Sequence, residues 1–277
     1  MILVTGATGT IGGEVLRLLT QRGAKLRAMT RDPDRIAGFD AVQGDFDDST
    51  SLRAAIAGVD SVFLLTAPGE RVPGHDLAMI DAARTGGVRK VVKLSAVGGG
   101  IGLPSDWHAP GEQALASSGL AWTVLRASSF ASNALRWATA IRAGAPVPNM
   151  TGTGAQGVVD PRDVAEVAVE ALLGDGHDGV AYTLTGPGLI SVPDQVEQLA
   201  ELLGLPIRTV DVPLEAVREQ TLAAGFDASV AEVAVRGAQL VRDGGNAVVT
   251  DDVRQVLGRP ARSFRTWAQD HLDAFGG

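Results

Sequence analysis

The sequence contains no cysteine. Disulfides, thiolate nucleophiles and cysteine-ligated metal sites are therefore excluded. It has a single tyrosine, Tyr182, and its lysines stop at Lys25, Lys90 and Lys93. The histidines, His75, His108, His177 and His271, are scattered without zinc-type spacing, so no metal site is expected. No apolar run approaches the ~20 residues that a membrane helix needs, and no membrane partner is expected. The formal net charge of −8 gives no support to nucleic-acid binding. No charged-then-apolar leader precedes the apolar run that begins at Ile2, and a cytoplasmic location is expected.

What is present is organised around the first turn. Ile2, Leu3 and Val4 form a short apolar run suited to a buried parallel strand. Thr5 to Gly13 then turns into the amphipathic pattern that starts at Glu14. The glycines Gly6, Gly9 and Gly12 follow a GxxGxxG spacing, strand before and helix after, which is the context a dinucleotide loop requires. Gly6 permits the tight turn, Gly9 the approach of a diphosphate to backbone N–H groups, and Gly12 close helix packing. Thr8, Thr10 and Ile11 complete the loop, whose helix N-terminus offers unpaired N–H groups.

Further along, strands alternate with helices at βαβ spacing, which predicts a doubly wound parallel sheet with helices on both faces. The strands are expected at Leu26–Met29, Ala41–Phe46, Val59–Leu65, Arg89–Leu94 and Ala121–Arg126, with a long helix over Val72–Thr85. Ligands in such folds sit beyond the carboxyl ends of the strands. At the end of the second strand, Arg31 favours the 2′-phosphate of NADP(H), while Asp32 beside it keeps NAD(H) open. Asp45 and Phe46 are placed to meet an adenine, and Leu65, Thr66 and Ser95 to lie along the nicotinamide ribose. A glycine cluster, Gly98-Gly99-Gly100, follows the fifth strand. In the second half, Ala131–Ala143 reads as a helix, Pro161–Ala168 as a helix capped by Asp160, and Ser191–Leu203 as a helix stopped by Gly204. Helices over Pro213–Ala224 and Ser229–Arg242 join through Gly225, and Ser263–Phe275 closes the chain. The expected organisation is a Rossmann core over 1–150 and, over 151–277, a smaller C-terminal α/β lobe that covers substrate and is intertwined with the core.

The N-terminal TGATGxxG, Thr30-Arg31-Asp32-Pro33, Gly44-Asp45, and His108 with Glu112 after the fifth strand together resemble the NmrA-like branch of the atypical short-chain dehydrogenase/reductases, close to its NADPH:quinone oxidoreductases. Ser118–Arg126, Phe130 with Asn133, Asp160–Ala165 and Tyr182–Gly186 match later segments of that group, and the likeness thins after Pro213. The resemblance implies a Rossmann fold that binds NADP(H) or NAD(H). The group holds reductases, cofactor-sensing regulators and tailoring enzymes of natural-product pathways.

Ordinary short-chain dehydrogenases use a tyrosine and a lysine four residues apart. Here the residue four beyond Tyr182 is Gly186, so that apparatus is excluded. The substitute is His108 with Glu112, which share a helix face if both are helical. Glu112 would then orient the imidazole, and His108 would pass a proton to a developing alkoxide or phenoxide, with Ser95 as a further hydroxyl partner. Pro110 places His108 at or just before the helix start, where a surface histidine beside a solvated glutamate fits equally well. Trp107, Phe130, Asn133, Trp137 and Met150 would suit a flat, mostly apolar ligand with a few polar groups, and Phe226 beyond the Gly225 hinge would form a lid. The expected function is an NAD(P)H-dependent oxidoreductase acting on a quinone or aromatic carbonyl compound, as a monomer or homodimer. The alternatives are a tailoring oxidoreductase or oxygenase of an aromatic polyketide antibiotic pathway, consistent with an alanine-, glycine- and arginine-rich composition, and a non-catalytic NAD(P)-sensing regulator.

Overall fold

A computed structural model describes residues 1–36, 38–97 and 107–277. The expected glycine cluster Gly98-Gly99-Gly100 lies outside them. In chain order the elements begin β1 (Ile2–Val4), α1 (Thr10–Gln21), β2 (Leu26–Thr30), β3 (Ala41–Gln43), α2 (Ser49–Ala55), β4 (Ser61–Leu64), α3 (Val72–Thr85), β5 (Lys90–Ala96), α4 (Ala109–Ala116) and β6 (Ala121–Ala127). They continue with a 3-10 turn over Ala131–Trp137, α5 (Ala138–Arg142), β7 (Val147–Asn149), β8 (Ala155–Gln156), α6 (Pro161–Leu173), β9 (Val180–Leu184), β10 (Ile190–Ser191) and α7 (Val192–Leu203). The last are β11 (Thr209–Asp211), α8 (Leu214–Ala223), α9 (Ala228–Arg242), α10 (Asp252–Leu257), α11 (Phe264–Gln269) and α12 (Leu272–Phe275). No helix among the described residues is long and apolar enough to cross a membrane.

By their contacts the residues divide into two units. The first comprises 1–127, 161–184 and 256–258, so the boundary expected near residue 150 lies inside the second unit and α6 and β9 return to the first. The first unit is a Rossmann-type α/β fold. Its seven-stranded sheet runs β3-β2-β1-β4-β5-β6-β9 with every pair parallel. Strand order reverses between β1 and β4, where ligands bind in such sheets. The short strands are apolar on both faces because helices cover both. α1 packs with α6 on one face. On the other, Leu52 of α2, Met79 and Ile80 of α3 and Leu115 of α4 meet Leu3, Val62, Leu64 and Val91 of the strands in one cluster. Asp48 caps α2 through its side chain, which accepts from the Thr50 N–H.

The second unit has its own core, in which Trp267, Phe264 and Phe275 pack with Ala134, Ile141, Val147 and Leu199. Two small pairs, β11 parallel with β7 and β10 antiparallel with β8, replace a large sheet. α7 starts in a reciprocal cap between Ser191 and Asp194. One expectation is corrected here. The stretch expected as one helix from Ala131 is a 3-10 turn to Trp137 followed by a short α-helix. The closing segment forms two short helices separated at Asp270-His271, where the His271 ring bonds the Trp267 carbonyl.

Candidate functional site

The first turn is built by contacts that leave no room for side chains. Gly6 leaves β1 at φ 62°, and a Cβ there would lie 1.9 Å from Leu65 Cδ2. A Cβ on Gly12 would lie 2.2 Å from the Gly6 carbonyl oxygen, so this glycine lets α1 rest against the loop. Thr5, fully buried, donates from Oγ1 to the Leu65 carbonyl (2.9 Å) and accepts from the Leu65 N–H (2.8 Å), fixing β1 to the exit of β4. Thr8, Gly9 and Thr10 are exposed, and Gly9 caps α1 with no side-chain acceptor for the first-turn N–H groups. That open N-terminus fits a diphosphate. The Ile11 side chain is buried, so Ile11 can offer only its backbone.

Beyond β2, the Asp32 carboxylate accepts from the Asp34 N–H and caps a 3-10 turn that opens with Pro33. Asp32 is thereby engaged in backbone, while Arg31 is exposed. The same turn brings Arg35 to a cleft of about 310 Å³ lined also by Ala7, Thr8, Gly13, Leu16, Ile36 and Phe39. Arg35 was not foreseen. The signal lay in the Asp-Pro that winds the chain back toward the glycine loop. Asp45 accepts from the Asp47 N–H and its own N–H donates to Ser51. The Phe46 ring is stacked on His75 at 5.1 Å and 16°, so one of its faces is taken by the protein.

At the carboxyl ends of β5 and β6 the structure gathers two buried charge groups. In the first, Lys93 and Asp76 are both fully buried and pair at 2.8 Å. Lys93 Nζ also donates to the Leu94 carbonyl (3.0 Å) and lies 3.2 Å from His108 Nδ1, and Thr66 Oγ1 donates to Asp76 Oδ1 at 3.4 Å. Burial pushes the Asp76 carboxyl above the usual carboxylate range, against the pull of Lys93, Thr66 and His75. Gly111 permits the crossing of α4 over α3, since a Cβ there would lie 2.3 Å from Asp76 Oδ2. In the second group, Glu112 accepts a hydrogen bond from Ser95 Oγ and a two-nitrogen contact from Arg126, with Nη2 at 2.6 Å and Nε at 3.1 Å from the same oxygen.

His108 stands at the N-cap of α4, one residue before the helix, with its ring nitrogen beside Lys93. The Glu112 carboxylate is held by Ser95 and Arg126, and the Ser95 hydroxyl hydrogen is committed to Glu112. Asp76 and Lys93 were missed in the sequence reading. Asp76 falls in the buried stripe of α3 with Val72, Met79, Ile80 and Ala83, and Lys93 interrupts the apolar run of β5; a charge in each apolar stripe was the available sign.

The expected substrate residues divide between the units. Trp107 is half-buried in the first, immediately before His108. In the second, Phe130 bridges to Val159, exposed Asn133 donates to Ser129 Oγ at 3.3 Å, and Trp137 packs on the unit's core. The Met150 carbonyl accepts from Arg242 Nε at 3.0 Å. Phe226, 57% exposed, follows α8. The hydroxyl of the sole tyrosine, Tyr182, is 2.9 Å from Nδ1 of His177, a residue of the loop that enters β9.

A parallel sheet with this strand order, a glycine turn open at a helix N-terminus and basic side chains past the second strand define a dinucleotide-binding α/β protein. The chain belongs to the NAD(P)H-binding family, whose model matches residues 6–175. It is 40% identical to a (4-alkanoyl-5-oxo-2,5-dihydrofuran-3-yl)methyl phosphate reductase of Streptomyces griseus, over 99% of both chains. It is 35% identical to an NAD(P)H azoreductase of Xenophilus azovorans, over 100% of this chain and 99% of that one. The crystal structure of an NADPH-dependent quinone oxidoreductase of Escherichia coli complexed with NADPH superposes with a TM-score of 0.87 at 22% identity, over 99% of this chain and 100% of that chain, and shares its fold.

Proposed function

We propose that this protein is an NAD(P)H-dependent oxidoreductase, with NADPH the preferred donor, and that it reduces an electron-poor conjugated acceptor such as a quinone or an aromatic or unsaturated carbonyl compound. The observation that carries the reading is an intact dinucleotide loop in a chain whose tyrosine is engaged elsewhere, with His177. Bound NAD(P)H supplies the hydride. Gly6, Gly9 and Gly12 and the open start of α1 would hold the diphosphate, and Arg31 with Arg35 the 2′-phosphate. Leu65, Thr66 and Ser95 would lie along the nicotinamide ribose.

The acceptors named for the similar proteins support the substrate class. An acylated dihydrofuranone, an azo compound and a quinone all spread the incoming electron pair over a conjugated system. The resulting anion needs no strong acid, and catalysis rests on holding donor and acceptor in line. His108 would donate a hydrogen bond to that anion, and Trp107 beside it would lie against the flat acceptor. Glu112 would act by fixing Ser95 and Arg126.

The test is to mix the protein with NADPH or NADH and a panel of quinones, azo dyes and an acylated dihydrofuranone phosphate, following the nicotinamide absorbance. Acceptor-dependent loss of NADPH, faster than that of NADH, is expected. Tight cofactor binding with no turnover on any acceptor would replace the enzyme by a cofactor-sensing regulator.

A further inference from the structure

A lysine ammonium carries three N–H donors and no acceptor. Lys93 is fully buried, and three groups lie within reach of its nitrogen: Asp76 Oδ2 at 2.8 Å, the Leu94 carbonyl at 3.0 Å and His108 Nδ1 at 3.2 Å. A donor can bond to Nδ1 only if that nitrogen presents its lone pair. The ring proton must then sit on Nε2, and an imidazolium, with protons on both nitrogens, would set an N–H against the ammonium.

The surrounding charges point the same way. Asp76 of α3 is matched by Lys93 of β5, and Glu112 of α4 by Arg126 of β6. His75, the neighbour of Asp76 on α3, faces Asp47 instead. A proton added to the His108 ring would set a second positive charge 3.2 Å from the Lys93 ammonium.

We propose that Lys93 is a positioning residue that locks His108 as the neutral Nε2–H tautomer, so that His108 serves as an uncharged hydrogen-bond donor to the reduced acceptor and not as an imidazolium acid. Proton transfer to the product anion then falls to water. This deepens the reductase reading, and its consequence in turnover rests on that reading, whereas its consequence for the ring does not.

The ring is tested first, by nitrogen-15 NMR of histidine-labelled protein, with His108→Gln identifying the signal. An unprotonated Nδ1 that stays so between about pH 5.5 and 8, across the range where an ordinary histidine titrates, supports the proposal. A proton on Nδ1, or an ordinary titration, overturns it. In Lys93→Met/Asp76→Asn, which removes both buried charges together, His108 is expected to titrate within about one unit of the ordinary histidine value; a ring that stays locked there would overturn the assignment of the lock to Lys93. Should that variant not fold, the wild-type spectrum still decides.

Turnover is the second readout. His108→Gln keeps a neutral donor and an acceptor for Lys93, and its kcat/KM is expected to fall clearly less than that of His108→Leu, which loses about tenfold, the value of one neutral hydrogen bond. Equal losses in the two variants would overturn the uncharged-donor role. If the wild type turns over no acceptor, the reductase reading fails while the spectrum still judges the lock.

Discussion

Lys90 and Lys93 lie on the same strand, one near the amino-terminal edge of the sheet and the other toward its carboxyl-terminal edge. Lys90 reaches the carbonyls of Ala171 and Gly174, and Asp178, its ion-pair partner at 3.4 Å, is half exposed. Lys93 pairs with a carboxylate that is as buried as itself. The histidines divide in the same way. His177 faces Tyr182 at the start of β9, while His108 faces Lys93. Both edges use the same residue types. At one, the charges end on main chain and solvent, which fastens loops at little electrostatic cost. At the other, Lys93 and Asp76 end on one another, both fully buried, and each depends on its partner.

The largest effect that would break this contrast is on stability. Lys93→Met leaves Asp76 as an unpaired buried carboxylate and is expected to cost about 3–5 kcal/mol in urea unfolding, whereas Lys90→Met costs under about 1 kcal/mol. The deficit of Lys93→Met grows with pH. The Asp76 value is already raised in the folded chain by burial, so the folded state binds that proton more tightly than the unfolded one. Stability therefore falls as pH climbs through the raised value, and losing the Lys93 charge raises it further. Unfolding measured at about pH 5 and pH 8 should show the larger loss at the higher pH. Equal costs for the two lysines would remove the distinction between the edges.

Next comes the cofactor turn. Gly12→Ala places a Cβ 2.2 Å from a main-chain oxygen that has no rotamer to escape into, and NADPH affinity by fluorescence titration is expected to fall about a hundredfold. The smallest effect belongs to the opposite edge. Tyr182→Phe removes one partner of His177 and should lower stability by about 1 kcal/mol or less, with kcat/KM unchanged. A loss of turnover in that variant would place the tyrosine in the chemistry after all.

Much of the frame was legible because it is written locally. The glycine turn, the α3 span and the βαβ alternation each depend on residues within one turn or one strand of each other. The charge groups were not legible for the opposite reason. Spacing along a helix made His108 the natural partner for Glu112, but His108 falls just outside α4, and the carboxylate went to Ser95 and Arg126 on two neighbouring strands. The register that sets Ser95 opposite Arg126 in the β5–β6 ladder decides that pairing, and no local pattern encodes it. The 3-10 turn after β6 escaped for a related reason. It starts at a bridge in which Val159 accepts from the Ala131 N–H and donates to the Ser129 carbonyl, a contact outside the segment's own periodicity.

Thr5 carries a consequence for motion. Its hydroxyl both gives to and takes from Leu65, so a side chain continues the β1–β4 ladder one rung past the last strand residue. The amide of Leu65 is thereby held by a group with no exposure to solvent. Its exchange with solvent hydrogen should follow opening of the whole sheet and not the breathing of a loop. The wall against which Gly6 turns then belongs to the most slowly opening part of the fold, and a ligand would enter a mouth whose floor is already set.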